Sequence, residues 1–394
     1  MTTQTILISG GGIGGLAAAL SLSRQGFSVT VLEQAPSLGE IGAGIQIGPN
    51  AFHAMDALGV GELVRAKAVF IDGLVLMDAS TDEQVCVVPL DEPFRKRFRN
   101  PYAVIHRADL HSALLEACRK DAKVTLRTSA RVQSYSQDAG GVRATLTNGE
   151  TLEGIALIGA DGLHSAIRAQ MLKDGPPMVS GHTTFRSVIP TAQMPEELRW
   201  NAATLWAGPK CHIVHYPLQG WKVFNLVATV HSGATEAVAG EPVPTELVHQ
   251  AFAHVVPRAQ RIIHAADSWK RWVLCDREPQ EGWCDGRVAL LGDAAHPMLQ
   301  YMAQGACMAL EDAVCLGEQL AARPDDMTAA LESYRQARLP RTTRLQLASR
   351  AMGEYVYHPD GPRRMARNAW LQAKSGEDFH ISLEWLYGHG RKAA

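Results

Sequence analysis

The chain has 394 residues, 46% of them hydrophobic and 20% charged, with a formal net charge of −2. That length suits two or three domains, or one large α/β domain carrying an insertion. A near-neutral balance without long runs of like charge gives no electrostatic reason to bind nucleic acid or an anionic membrane surface. The seven cysteines are scattered and form no CxxC pair, which points to reduced thiols in a cytoplasmic protein. No His or Cys spacing resembles a metal site, so no metal is expected.

Residues 6–22 are almost wholly apolar. No Lys or Arg precedes them and glycines crowd their first half, so neither a secretory signal nor, elsewhere, a membrane span is expected. Residues 6–9 instead predict a short buried strand, 10–15 a glycine turn, 16–25 a helix ended by Gly26, and 28–33 a second β-branched strand. Strand, helix and strand in that order imply a parallel sheet with a right-handed crossover. Residues 110–119 predict an amphipathic helix, and 124–126, 142–146 and 156–158 predict strands.

From about residue 176 to 272 the character changes to short β-like runs at 204–206, 211–216 and 223–230. A buried strand returns at 288–291, followed by a long helix from about 305 to 321 and a helical tail carrying several aromatics. The expected fold class is α/β. A Rossmann-like domain with a parallel sheet spans 1–175 and 272–348, a β-rich domain is inserted at 176–271, and a helical segment covers 349–394.

Gly10, Gly12 and Gly15 follow a strand and open a helix. The first permits the tight turn, the second lets backbone approach a pyrophosphate, and the third lets helix and strand pack closely. Glu33 ends the next strand, where a carboxylate can bind a ribose hydroxyl. Gly159-Ala160-Asp161-Gly162 and Gly292-Asp293 each place a carboxylate after a predicted strand, at the sheet edge where α/β proteins bind ligands.

With these three motifs in this order, the chain resembles the single-component aromatic hydroxylases of the para-hydroxybenzoate hydroxylase type. Segments 42–50 (GAGIQIGPN), 106–111 (HRADLH) and 292–313 look like the 3-hydroxybenzoate 6-hydroxylase branch, with salicylate and 6-hydroxynicotinate hydroxylases next. The resemblance implies non-covalent FAD, NADH as a transient co-substrate without a domain of its own, O2, and a small phenolic acid as substrate. It implies FAD contacts from Gly10, Gly12 and Gly15 to pyrophosphate, from Glu33 to the adenosine ribose, and from Arg107 and Asp293 along the chain. Asp161 would lie near both flavin and NADH.

Gln304-Gly305-Ala306 opens the long predicted helix, whose N-terminus would stabilise negative charge on the reduced flavin ring. In the insertion, 211–216 (CHIVHY) predicts a strand with His212, Val214 and Tyr216 on one face, His212 and Tyr216 roughly 13 Å apart. Losing the phenol proton activates the ring, and a histidine titrating near neutrality suits that transfer. The resemblance puts His212 and Gln300 in this role, with Tyr216 placing the ring or its carboxylate, while His215 and His296 read as structural. A flavin reductase or oxidase, and a flavin-bound redox sensor or binding protein, stay open as alternatives. The aromatics Tyr355, Tyr357, Trp370, Trp385 and Tyr387 exceed what a core needs and suggest a homodimer.

Overall fold

The computed structural model describes residues 5–39 and 43–391. Gly42, at the start of one of the resembling segments, therefore lies outside the described residues.

The N-terminal β-α-β unit forms as its sequence dictates. Thr5–Ser9 and Ser28–Leu32 pair in parallel through the crossover helix Ile13–Arg24. Val124–Arg127 extends the sheet on one side, and Ala156–Gly159 followed by Val288–Leu290 extends it on the other, all in parallel. The hairpin partner Cys284–Asp285 closes that edge antiparallel. From the central strand the chain first builds outward on one side and only later on the other. This places a topological switch point between Thr5–Ser9 and Ala156–Gly159, where a crevice opens at the strands' carboxyl ends. The helix Gly305–Ala322 lies against the crossover helix, close enough that a Cβ on Gly317 would strike Ser21.

The second body is an eight-stranded sheet. Met178–Pro190, Ala202–Gly208, Cys211–Leu218, Val223–His231 and Trp269–Asp276 pair antiparallel around a core containing Trp206, Phe224 and Trp269. The boundaries 176–271 do not describe this sheet. Gly73–Asp78 and Gln84–Pro89 also join it, Gly73–Asp78 running parallel to Ala202–Gly208. Those two strands are buried or half-buried except at Gln84, which is exposed.

The tail does not begin at 349 either. The helix Met327–Met352 runs through that point and carries Pro340 inside it. Nor is the tail detached. Tyr387 is buried edge-on against Phe94, Phe98 and Tyr102, and Asp78 on the large sheet accepts from Arg364 and Asn368 at 2.7 Å each. Three of the five tail aromatics thus have an intrachain role, Tyr387 in the core, Trp385 packed against it and Tyr357 in a cavity wall, while Tyr355 and Trp370 remain exposed. No described helix is long and apolar enough to cross a membrane.

Candidate active site

Two adjoining cavities follow the switch-point crevice, sharing Gly12, Ala160 and Gly162 as common wall. The outer one, about 250 Å³, is lined by Gly10, Glu33, Arg131, Asp161 and His164 among others. Gly10 has φ +105°, and a Cβ there would overlap the Ala160 carbonyl, so the turn after the first strand requires glycine. Gly15 lines neither cavity. A Cβ on it would collide with the Gly10 carbonyl oxygen, so glycine there lets helix and strand pack closely.

Glu33 fixes the glycine loop. Its two carboxylate oxygens accept from the Gly11 N–H at 2.7 Å and the Ala35 N–H at 2.8 Å while its side chain faces the cavity. His111, from the HRADLH segment, holds the same loop through the Gly11 carbonyl at 2.8 Å. Asp161 sits at the N-terminus of Ala166–Leu172, accepting from Ser165 Oγ at 2.5 Å and the Ala166 N–H at 2.9 Å. It therefore faces the outer cavity and orders the turn that walls it, and it does not line the inner one.

The inner cavity, about 340 Å³, receives the starts of two long helices. Ile13–Arg24 begins at Gly12 and Gly305–Ala322 at Gln304, and neither N-cap side chain caps its helix. Gly12, Ile13, Gly14, Gln304, Gly305 and Ala306 line the wall, so uncapped N–H groups and two positive dipole ends face one space. Gln304 Nε2 is buried with no protein partner. Such a cradle fits a dinucleotide, with a pyrophosphate at the first helix and an anionic flavin ring at the second. Arg107 and the exposed Asp293 also line it.

A buried ion network holds the helix Gly305–Ala322 in place. Asp312 accepts from Arg338 Nε at 2.7 Å, His296 Nε2 at 2.6 Å and the Gly292 N–H at 3.1 Å, which pins the Gly292-Asp293 turn. Glu311 accepts from Arg338, Arg341 and Asn50, and Asn50 Nδ2 also donates to Gln304 Oε1 at 2.9 Å. Burial pushes these carboxyls up, but the arginines and His296 outweigh it and hold Glu311 and Asp312 at about 2. His296 is structural, as expected.

The sheet register builds the other wall. Because His212 pairs with Thr229, Val214 with Val227 and Tyr216 with Asn225, these six share a face. The next strand adds Thr184, Arg186 and Val188 beside them. Val214 and Val227 form an apolar centre, with His212, Tyr216 and Arg186 around it, all lining the inner cavity. Gln300 closes the polar rim, donating to Thr184 Oγ1 at 3.2 Å and Thr229 Oγ1 at 3.1 Å and accepting from Arg186 at 3.1 Å. His215, on the opposite face, accepts from Trp206 Nε1 at 3.2 Å within the second core.

Sequence reasoning missed Arg186. It stacks over Trp272 at 5.3 Å, its Nε is enclosed without a partner, and its guanidinium donates to the neutral Gln300 amide. Burial draws its pKa down, yet a guanidinium stays charged, and among the described residues this cavity cation has no carboxylate partner. Only its position on Met178–Pro190, in register with Val227, reveals it. Also missed were Tyr357 and His358. Tyr357 lines the cavity, and His358 Nε2 lies 2.7 Å from His212 Nδ1.

His212 does not titrate near neutrality. Burial, with His358 and His182 adding to it, holds its pKa well below 6.5. Burial pushes the Tyr216 phenol up, so it remains a neutral donor.

Residues 2–349 match the family described as FAD binding domain. The chain is 54% identical to 3-hydroxybenzoate 6-hydroxylase 1 of Aquipseudomonas alcaligenes across 98% of both chains. It is 48% identical to 3-hydroxybenzoate 6-hydroxylase of Klebsiella oxytoca, covering 97% of this chain and 96% of that one. Its fold superimposes on Klebsiella pneumoniae HpxO complexed with FAD and uric acid at TM-score 0.85 and 27% identity, covering 98% and 97% of the two chains. A salicylate hydroxylase substrate complex matches at TM-score 0.84 and 27% identity, over 98% and 96%.

Proposed function

The chain belongs to the FAD-dependent aromatic-ring hydroxylases, and from that premise we propose that it hydroxylates 3-hydroxybenzoate at C6, giving 2,5-dihydroxybenzoate with NADH and O2 as co-substrates. Bound FAD supplies hydride acceptance and oxygen activation. The protein's own part is to hold the acid, ionise its hydroxyl and keep water out.

Support comes from one observation above all. The inner cavity joins the Arg186 guanidinium, an apolar two-valine floor and a histidine–glutamine pair on one sheet face, opposite the uncapped helix N-termini. Arg186 offers charge-assisted hydrogen bonds to the substrate carboxylate, and Tyr216 donates alongside it. His212 accepts the phenol proton through Nε2, the ring nitrogen that His358 leaves free. Gln300 orients the hydroxyl. The phenolate's charge then reaches the carbon para to oxygen, which is C6. Val214, Val227 and Met298 exclude water from that step. Gly10, Gly12, Glu33, Arg107, Asp161 and Asp293 hold the FAD chain, while Gln304, Gly305 and Ala306 offer N–H groups to its ring.

NADH is preferred over NADPH in this reading, and comparing kcat/KM for the two decides it. We also propose a homodimer, because Tyr355, Met365 and Trp370 expose apolar surface on the tail. Light scattering at the monomer mass of 42.7 kDa at every concentration would rule it out. The seven free cysteines suit a reducing cytoplasm. Anaerobic reduction by NADH tests the enzyme class. Reduction accelerated by 3-hydroxybenzoate supports hydroxylation, equal rates without ligand point to a reductase, and no reduction points to a binding protein. Greater acceleration by salicylate or 6-hydroxynicotinate would move the assignment to those acids.

A further inference from the structure

We propose that His358 carries the phenol proton from His212 to solvent, so that the catalytic base is a two-histidine relay rather than a single residue. This rests on the reading of His212 as the group that deprotonates the substrate.

Accepting a proton sets His212 against its surroundings. It is 1% exposed and is faced by Tyr301, Tyr357, His182 and His358, none of them anionic. A proton left on it would make a buried imidazolium with no protein anion beside it, and its one counter-charge, the new phenolate, would be held back by that pairing from sending charge into the ring. The proton must therefore leave as it arrives, and the structure offers a route. The His212 and His358 rings lie 4.9 Å apart, inclined by 26°, with Nδ1 of the first 2.7 Å from Nε2 of the second. His358 is only half-buried, and its Nδ1 is not among the enclosed, unpartnered nitrogens of the described residues, which leaves that nitrogen able to meet water. Burial draws His358 down to about 3, with His182 and His231 adding to it, so it too passes a proton on rather than keeping it.

The fold fixes His358 from several sides. Gly353–Tyr357 is a π-helical turn, a geometry that recurs at functional sites. The His358 N–H donates to the Gly353 carbonyl at 3.1 Å, and Arg367 donates to the Val356 carbonyl at 2.5 Å. Glycine is required at 353, because a Cβ would come within 2.6 Å of the Tyr301 ring. Tyr301 Oη meets His182 Nδ1 at 2.7 Å, and the His182 ring stands edge-on to His358 at 5.0 Å, closing the relay's far side.

The transfer balances. His212 begins with its proton on Nδ1, donated to His358 Nε2. The phenol O–H bond breaks as Nε2 of His212 gains that proton, its Nδ1 proton moves to His358 Nε2, and the Nδ1 proton of His358 leaves to water. When the product oxygen regains a proton, the same path run backward restores both tautomers.

His358→Gln and His358→Ala, each loaded with FAD, test this. The glutamine amide can accept the His212 Nδ1–H bond but cannot pass a proton. Flavin absorbance on titration with 3-hydroxybenzoate should show affinity within about twofold of wild type for both, since His358 does not line the cavity. The share of NADH ending as H2O2 should rise in both, with ring hydroxylation slowed by about 10²-fold, the low end for a lost acid–base group. Free imidazole should restore coupling to His358→Ala and not to His358→Gln. Wild-type coupling in His358→Gln would show that the residue only positions His212 and would overturn the relay, as would absence of rescue in His358→Ala. Failure of the wild type to hydroxylate a phenolic acid would overturn the base reading and the relay together.

Discussion

Replacing Arg186 by methionine removes the cation from the cavity's sheet wall while keeping most of its volume. In the free protein that guanidinium has one amide bond to Gln300 and the face of Trp272, with its Nε enclosed and unpaired. Losing it strands no protein anion, so stability should hold or rise. With substrate present the balance reverses. Truncating one partner of a buried charge pair costs about 2–5 kcal/mol, mainly from the charge left unpaired. At about 1.4 kcal/mol per decade, that is a loss of roughly 30-fold to several thousand-fold in 3-hydroxybenzoate affinity. The assay titrates flavin absorbance in wild type and Arg186→Met with 3-hydroxybenzoate and with 3-methylphenol, which lacks the carboxylate. The variant should lose the acid and keep the neutral phenol to within a few-fold. Equal losses for both ligands, or unchanged affinity for the acid, would refute a carboxylate contact at Arg186.

Other perturbations act on separate parts of the site. His212→Ala should keep FAD and still be reduced by NADH, but release H2O2 in place of product, with hydroxylation down by about 10²–10⁴ and partly recovered at alkaline pH as the free phenol ionises near about 10; H2O2 per NADH across pH measures it. Gln300→Ala should do the same more mildly. Glu33→Ala breaks two charge-assisted bonds to the glycine loop and should weaken FAD retention by about 10- to 100-fold without changing the product, as read from flavin released on dilution. Glu311 and Asp312 have folded pKa values of about 2, below their unfolded ones. Their contribution is complete above about pH 4.5 and fades as pH falls toward about 2, at roughly 1.4 kcal/mol for each tenfold difference in proton affinity between the folded and unfolded states. Melting temperature should fall through that window in wild type and show a weaker acid dependence in a folded Asp312→Asn variant.

The local motifs were legible because short-range physics sets them. A glycine forced to positive φ beside the Ala160 carbonyl, a carboxylate ending the second strand, and a long helix opening at Gly305 all announce themselves within a few residues. Period-two alternation likewise placed His212, Val214 and Tyr216 on one face. What stayed hidden depends on pairings distant in sequence. Gly73–Asp78 joins the large sheet only through Ala202–Gly208, and Arg186 reaches the cavity only through its register with Val227. His358 meets His212 across 146 positions, on a tail whose aromatics read as surplus until the fold placed Tyr387 and Tyr357. The expectation of a near-neutral His212 failed for the same reason. Its titration depends on which groups surround the ring, and those come from segments far along the chain.

Whether this cavity directs oxygen to the ring carbon para to the hydroxyl of a phenolic acid is the central question. Turnover of 3-hydroxybenzoate with NADH under isotopically labelled O2, followed by mass and NMR analysis, tests it directly. The expected product is 2,5-dihydroxybenzoate carrying one labelled oxygen at the new hydroxyl, formed nearly one for one with NADH consumed. Label at a different ring position, or NADH consumed with only H2O2 formed, would contradict it.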